Sequence, residues 1–229
     1  MKVAAKVIFL LNGGDGLASA ISGGLITSPN SNFQTLKESF GLPLDGYGIK
    51  DQKACGQIIH FVNSNGHYEV SILLLQNYEP PILACALNEV LLNLAGDDSS
   101  TVPTLIIPSI VPESKLKQKN KYSVKSDNVS VYGVKLGPTT DATEALSSKL
   151  QKPPQYLQIY REDLATLLHL VTITRFPTVA LIGQSVQVIC QLGEHLASVS
   201  SLSFSKDKTI QNSTKTSRDD KESWRALYG

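Results

Sequence analysis

Apolar runs of strand length alternate with apolar stripes of helical spacing along this chain. Val3 to Leu11 forms the first run, and Gly13-Gly14-Asp15-Gly16 turns the chain tightly into a short helix from Leu17. Residues 27 to 53, rich in Ser, Asn and Gly, read as a long irregular connection. Gln57 to Val62 and Tyr68 to Leu75 are β-favouring runs on either side of Asn63-Ser64-Asn65-Gly66-His67, and an Asn-Gly pair tolerates positive φ, so they predict a hairpin. After Pro80-Pro81, residues Ile82, Leu83, Ala86, Leu87, Val90, Leu91 and Leu94 share one helical face, and Gly96 supplies the stop. Leu105 to Ile110 predicts a strand, with Pro108 expected to place its end at an edge or rim of the sheet.

The pattern continues beyond a polar, Lys-rich stretch over 112 to 128. Val129 to Leu136 alternates like a strand, and 141 to 150 predicts a short helix. Glu162 and Asp163 precede Leu164, Leu167, Leu168 and Val171, an amphipathic helix with its acids in the first turn, where the helix dipole favours them. Phe176-Pro177 breaks that helix, Val179 to Gly183 is a short buried strand, and Val186, Ile189, Leu192 and Leu196 mark a last helix. Helix, strand and helix in succession predict α/β architecture: one domain over 1–199, a mostly parallel sheet flanked by helices, and a β-hairpin. No repeat shows at a 20-to-50-residue period.

Composition narrows the class. The 229 residues are 41% hydrophobic and 18% charged, with mean hydropathy −0.04, which excludes a wholly disordered chain, a collagen and a coiled coil. With 21 Lys+Arg against 20 Asp+Glu there is no global electrostatic footprint for nucleic acid or an anionic membrane. Cys55, Cys85 and Cys190 are few, scattered and odd in number, so no disulfide framework or Cys-x-x-Cys knuckle is expected and a reducing compartment fits. The Val7 to Leu11 run is too short for the core of a signal peptide, and no stretch approaches the length of a membrane span. The expected location is the cytoplasm, with the nucleus also open.

Each catalytic pattern has a plainer reading. The glycine turn at Gly13 to Gly16 lies where a helix N-terminus could hold an anion, but Gly14-x-Gly16-x-x-Ser19 lacks the third glycine of a dinucleotide fingerprint, and no Gly-Lys-Ser/Thr exists. Gly183-Gln184-Ser185-Val186-Gln187 sits like a nucleophile elbow, with His169 and His195 as histidine partners, yet Gln187 fills the place of a small residue and a capping Ser is commoner. His60, His67, His169 and His195 never form a zincin pair. His60 reads as a satisfied sheet histidine, and Glu162-Asp163 as a dipole-favoured first turn. Lys115, Lys117, Lys119, Lys121 and Lys125, with Tyr122 among them, read as a solvated face. No catalytic, cofactor or metal residues are assigned. The surviving enzymatic alternative is a small nucleosidase- or hydrolase-like protein using the Gly13–Gly16 turn for an anionic ligand.

Residues 200–229 differ in kind. Ser, Thr, Lys and Asp dominate to residue 223, a composition too poor in apolar surface to offset its ordering entropy, so a flexible tail is expected. It ends Trp224-Arg225-Ala226-Leu227-Tyr228-Gly229, with the chain's one Trp. Leu227, Tyr228 and the Gly229 carboxylate offer an apolar plug, an aromatic hydroxyl and an anion. About one random terminus in seventy would show hydrophobic-Tyr-X, so the motif draws its weight from the tether that carries it.

This tip resembles the C-terminal signature of proteins that dock on the outer α-ring of the proteasome core particle. The order of Val7 to Gly13, the Gln57–Leu75 hairpin, Leu105-Ile106-Ile107-Pro108-Ser109 with its Lys/Ser-rich loop, and Leu164 to Val171 followed by Phe176 to Leu181 resembles the proteasome assembly chaperone 1 family. The charged extension of animal members is missing, and Trp224-Arg225 is closer to the sister chaperone 2 family. The resemblance implies a phosphorylase-like fold without catalysis, a heterodimer with the sister chaperone, docking on proteasome α-type subunits, and Trp224, Leu227, Tyr228 and Gly229 as partner-binding residues.

Overall fold

The computed structural model describes residues 1–29, 31–96, 102–112, 115–117, 131–154 and 157–206. In chain order the elements are β1 (Lys6–Leu11), α1 (Leu17–Gly24), β2 (Leu25–Ile26), β3 (Gln34–Pro43), β4 (Lys53–Val62), β5 (Tyr68–Leu75), α2 (Ile82–Ala95), β6 (Thr104–Ile110), β7 (Leu116–Lys117), β8 (Val131–Leu136), α3 (Asp141–Ser147), β9 (Gln158–Ile159), α4 (Glu162–Ile173), β10 (Thr178–Gly183), α5 (Ile189–Ser200) and β11 (Ser203–Phe204).

A seven-stranded sheet runs in the order β3-β4-β5-β1-β6-β10-β8. Its centre, β5-β1-β6-β10, is parallel, while β3, β4 and β8 join antiparallel on the two flanks. The central strands are apolar at successive positions because helices cover both faces. Ile8, Leu10, Ile106, Val179 and Leu181 point into a core shared with α1, α3 and α5. Val7, Phe9, Leu105, Ile107, Ala180 and Ile182 point into a second core under α2 and α4. The hairpin turn forms as its sequence predicts, with Gly66 at φ 77°.

Two expectations are corrected. The connection over 27–53 contains a ten-residue strand, β3, paired along its whole length with β4. Gln34 to Ser39 are exposed on both faces, so the strand is held by backbone pairing and carries no apolar alternation for its sequence to show. Pro108, expected at an edge or rim, lies in a fully buried interior strand. Thr104 donates its N–H to Ala5 and Leu105 to Pro177, each at 2.8 Å, so even-numbered amides of β6 face β1 and odd-numbered ones face β10. β1 pairs β6 only as far as Ile106. The N–H that Pro108 lacks would therefore point into a gap where β1 has already departed.

Past residue 199 the fold continues. β11 pairs antiparallel with β2, Leu202 is buried, and the Phe204 ring lies against Gly24 and Gly193. A Cβ on either glycine would fall 2.5 Å or less from that ring, so both positions are kept bare to seat it. Residues 207–229, with Trp224, Leu227, Tyr228 and Gly229, lie outside the described residues, as do Lys119, Lys121, Tyr122 and Lys125.

Candidate site at the strand C-termini

The chain leaves β1 toward β5 on one side and later crosses to β6 on the other, which makes the β1/β6 divide a topological switch point. In open α/β sheets this is where ligands bind, beyond the strand C-termini. A cleft of about 470 Å³ opens there, lined by Gly13, Gly14 and Asp15 after β1, Tyr78 and Glu79 after β5, Ile110 at the end of β6 and Pro112 beyond it, and Arg161 to Asp163 at the head of α4.

Arg161 fills the divide. Its Nη1 donates to Asp15 Oδ2 at 2.8 Å and to the Ile110 carbonyl at 2.9 Å. That carbonyl belongs to the even-numbered side of β6 and lost its strand partner when β1 diverged. Nε and Nη2 form a two-pronged pair with Asp163 at 2.9 and 2.8 Å. Gly13 makes room, since a Cβ there would stand 3.2 Å from Nη2. The two carboxylates also hold helix starts: Asp15 Oδ1 accepts from the Leu17 N–H of α1, and Asp163 Oδ1 from the Leu164 N–H of α4.

Burial works against charge on Arg161, but hydrogen bonds and charge from Asp163, then Asp15, outweigh it and hold the guanidinium above its usual range. Burial likewise pushes Asp163 up, and the Arg161 hydrogen bonds and charge with the Leu164 amide reverse this, leaving it below the ordinary carboxylate range. With Glu79 and Glu162 exposed at the mouth and Lys115 opposite, acids outnumber bases around the cleft. The anion place suggested by the Gly13–Gly16 turn is thus taken by the protein's own Asp15, in a cleft whose charge disfavours a further anion.

The other motifs do not converge. His169 lies on α4 and His195 on α5, and these helices pack against opposite faces of the sheet. The two histidines therefore do not share a site, and the Ser185 side chain makes no capping bond to the short 3₁₀ turn that follows. Among the described residues, no group of three His, Cys, Asp or Glu side chains could hold a metal ion, and no helix is long and apolar enough to cross a membrane. His60 is fully buried in β4; its Nδ1 meets Ser71 Oγ at 2.8 Å, but its Nε2 has no partner, so it is only half satisfied. The Arg161 cluster is what sequence reading missed. Asp15 lies 146 residues before Arg161, and the one local hint was an Arg in the position just before the helix, where a capping Ser, Thr, Asp or Asn is usual.

A family model described as a domain of unknown function, DUF7894, matches residues 1–229. No curated protein matches the chain in sequence. Among solved structures, a Mycobacterium tuberculosis protein of unknown function, Rv2714, is 15% identical with a TM-score of 0.52, over 96% of this chain and 76% of that one. PbaB of Pyrococcus furiosus, an archaeal proteasome activator, is 12% identical with a TM-score of 0.50, over 97% and 94%. PbaA of Pyrococcus furiosus, an archaeal homolog of proteasome-assembly chaperone, is 12% identical with a TM-score of 0.50, over 99% and 90%. At these identities the likeness is one of fold.

Proposed function

The chain belongs to the DUF7894 family, and we propose that it is a non-catalytic assembly chaperone of the proteasome core particle. In this reading it pairs with a sister chaperone and docks on α-type subunits, partly through its last residues. The observation that carries it is a hydrophobic-Tyr-X tip, Leu227-Tyr228-Gly229, attached to a fold shared with an archaeal proteasome activator and an archaeal homolog of proteasome-assembly chaperone. The switch-point cleft supports the non-catalytic part: its half-buried Arg161 is spent on two internal carboxylates and an orphaned strand carbonyl.

The tail from residue 207 on is polar and poor in large apolar residues until Trp224. A chain of that composition has an r.m.s. reach of roughly 25–30 Å, enough to search a pocket beside the docked domain. There Leu227 is the plug, Tyr228 the oriented anchor, and the Gly229 carboxylate the partner of a basic group, with Trp224 adding apolar contact. Domain and tail act through effective concentration, so losing the tip weakens binding without abolishing it. Truncating such an anchor costs about 2 kcal/mol, roughly thirtyfold in affinity. Titration of purified α-ring with the intact chain and with a chain lacking Leu227–Gly229 tests this. A loss of tens-fold is expected, and equal affinities would remove the tip from the mechanism.

A further inference from the structure

At the opposite end of the sheet, His60 of β4 meets its register partner Ser71 of β5, whose hydroxyl also receives the segment leading into β1. Ser71 Oγ accepts the Ala4 N–H at 2.9 Å and meets His60 Nδ1 at 2.8 Å. Since Ala4 donates into that oxygen, the arrangement that strands no hydroxyl proton has Ser71 donating to Nδ1, which leaves the neutral ring with its proton on Nε2. Nε2 faces β3, where Glu38 Oε2 stands 3.9 Å away, too far for a hydrogen bond. The ring stacks on Tyr68 at 4.3 Å between centroids, and Lys2 Nζ stands 5.2 Å from the centre of the Tyr68 ring. Glu38 from β3, Tyr68 from β5 and Lys2 from the leading segment are thus the titratable groups around it.

We propose that His60 is a proton-sensitive latch whose protonation releases the segment Met1–Ala4 from the N-terminal end of β5. A protonated ring needs an acceptor at both nitrogens. Ser71 Oγ would then have to take Nδ1–H as well as the Ala4 N–H while its own hydrogen lost its acceptor. At Nε2 a full positive charge would sit buried with its carboxylate out of bonding range. Letting water reach the ring relieves both, and of β3, which faces Nε2, and the leading segment, which shares Ser71 and Tyr68 with the ring, the more weakly held yields. β3 is held to β4 by a ten-residue register. The leading segment is held by the Ala4–Ser71 bond, the Lys2–Tyr68 contact, a bond from the Met1 amino group to the Asn93 carbonyl, and the half-buried Met1 and Val3 side chains. Burial lowers the His60 pKa from its ordinary 6.5, with the Glu38 charge pulling the other way. The closed state therefore binds the proton more weakly than the open state, and acidification below about pH 6.5 drives opening.

Amide hydrogen exchange by NMR on the full chain, read as protection factors between pH 5 and 7.5, tests the latch. The Ala4 amide should lose protection about tenfold per pH unit below 6.5 while Val70 and Ile72 in β5 hold theirs, one proton being coupled to opening. In His60→Phe the Ala4 slope should vanish. In Glu38→Gln, an exposed change that leaves the core intact, the slope should keep its onset but run on to lower pH, so that Ala4 is less protected at pH 5 than in the unmodified chain. A flat Ala4 profile in the unmodified chain, a slope surviving in His60→Phe, or an Ala4 amide no less protected at pH 5 in Glu38→Gln than in the unmodified chain would each overturn the proposal. Should His60→Phe fail to fold, the Ala4 protection of Glu38→Gln at pH 5 decides alone.

Discussion

Replacing Arg161 with leucine removes the cation that joins α4, the β1–α1 turn and the frayed edge of β6 in one step. Asp15 and Asp163 are each less than a quarter exposed, and the Arg161 side chain is 14% exposed. The variant leaves two neighbouring carboxylates without their counterion and the Ile110 carbonyl without a donor. Breaking a buried pair from one side costs about 3–5 kcal/mol. Water at the mouth of the cleft places this case near the lower end, about 3 kcal/mol, or roughly 6–12 °C in Tm for a domain of this size. The pH dependence gives a second signature. In the unmodified protein Asp163 is depressed below its usual 3.8, so its contribution is present above that value and is lost as pH falls through the lower, folded one. In the variant only the backbone hydrogen bonds still oppose burial, so Asp163 rises from its depressed value and the deficit narrows on acidification. Thermal unfolding of both chains by circular dichroism at pH 7 and near pH 4 measures this, and adding Asp163→Asn to the variant should recover part of the loss. A drop under about 2 °C at pH 7, or a deficit that does not shrink in acid, would refute the structural role given to Arg161.

Other outcomes follow from single contacts. Gly193→Ala lies inside α5, where alanine ordinarily gains about 0.8–1 kcal/mol; here its Cβ would stand 2.4 Å from the Phe204 ring, so a net loss of about 1–3 kcal/mol is expected in chemical denaturation. In a Phe204→Ala background the same substitution should cost nothing, and a stabilised single variant would mean Phe204 does not seat there. Tyr78 accepts the Cys55 N–H at 2.6 Å and donates to the Lys53 carbonyl at 3.0 Å. Tyr78→Phe should therefore cost about 1–2 kcal/mol and speed exchange of the Cys55 amide. An unchanged Cys55 amide would deny the bond.

What the sequence disclosed follows the physics of burial. β1, the β4–β5 hairpin, α2, and the α4–β10–α5 succession are legible because each buries a face whose period is written in apolar residues such as Val7 to Leu10 or Leu83 to Leu94. β3 was not, because Gln34, Lys37, Glu38 and Ser39 stay in water and the strand exists through its ladder to β4. Pro108 pointed to an edge by the usual rule; the rule concerns the missing N–H, and the structure supplies a gap for it inside the sheet. The cleft was half legible. The Gly13–Gly16 turn and the Glu162-Asp163 helix start were both marked, but that Arg161 joins them across the switch point depends on long-range placement that no local pattern encodes. The continuation of the domain through Phe204 rests on two glycines, Gly24 and Gly193, whose bare faces seat its ring, a long-range fit that no local pattern marks.

The most direct test of the chaperone reading is a pulldown from extract of the source organism with the intact chain and with a chain lacking Leu227–Gly229, read by quantitative mass spectrometry. Recovery of proteasome α-type subunits together with a second chaperone of the same fold, reduced by the truncation, is the expected result. Recovery of neither from the intact chain, while the folded domain survives intact, would contradict it.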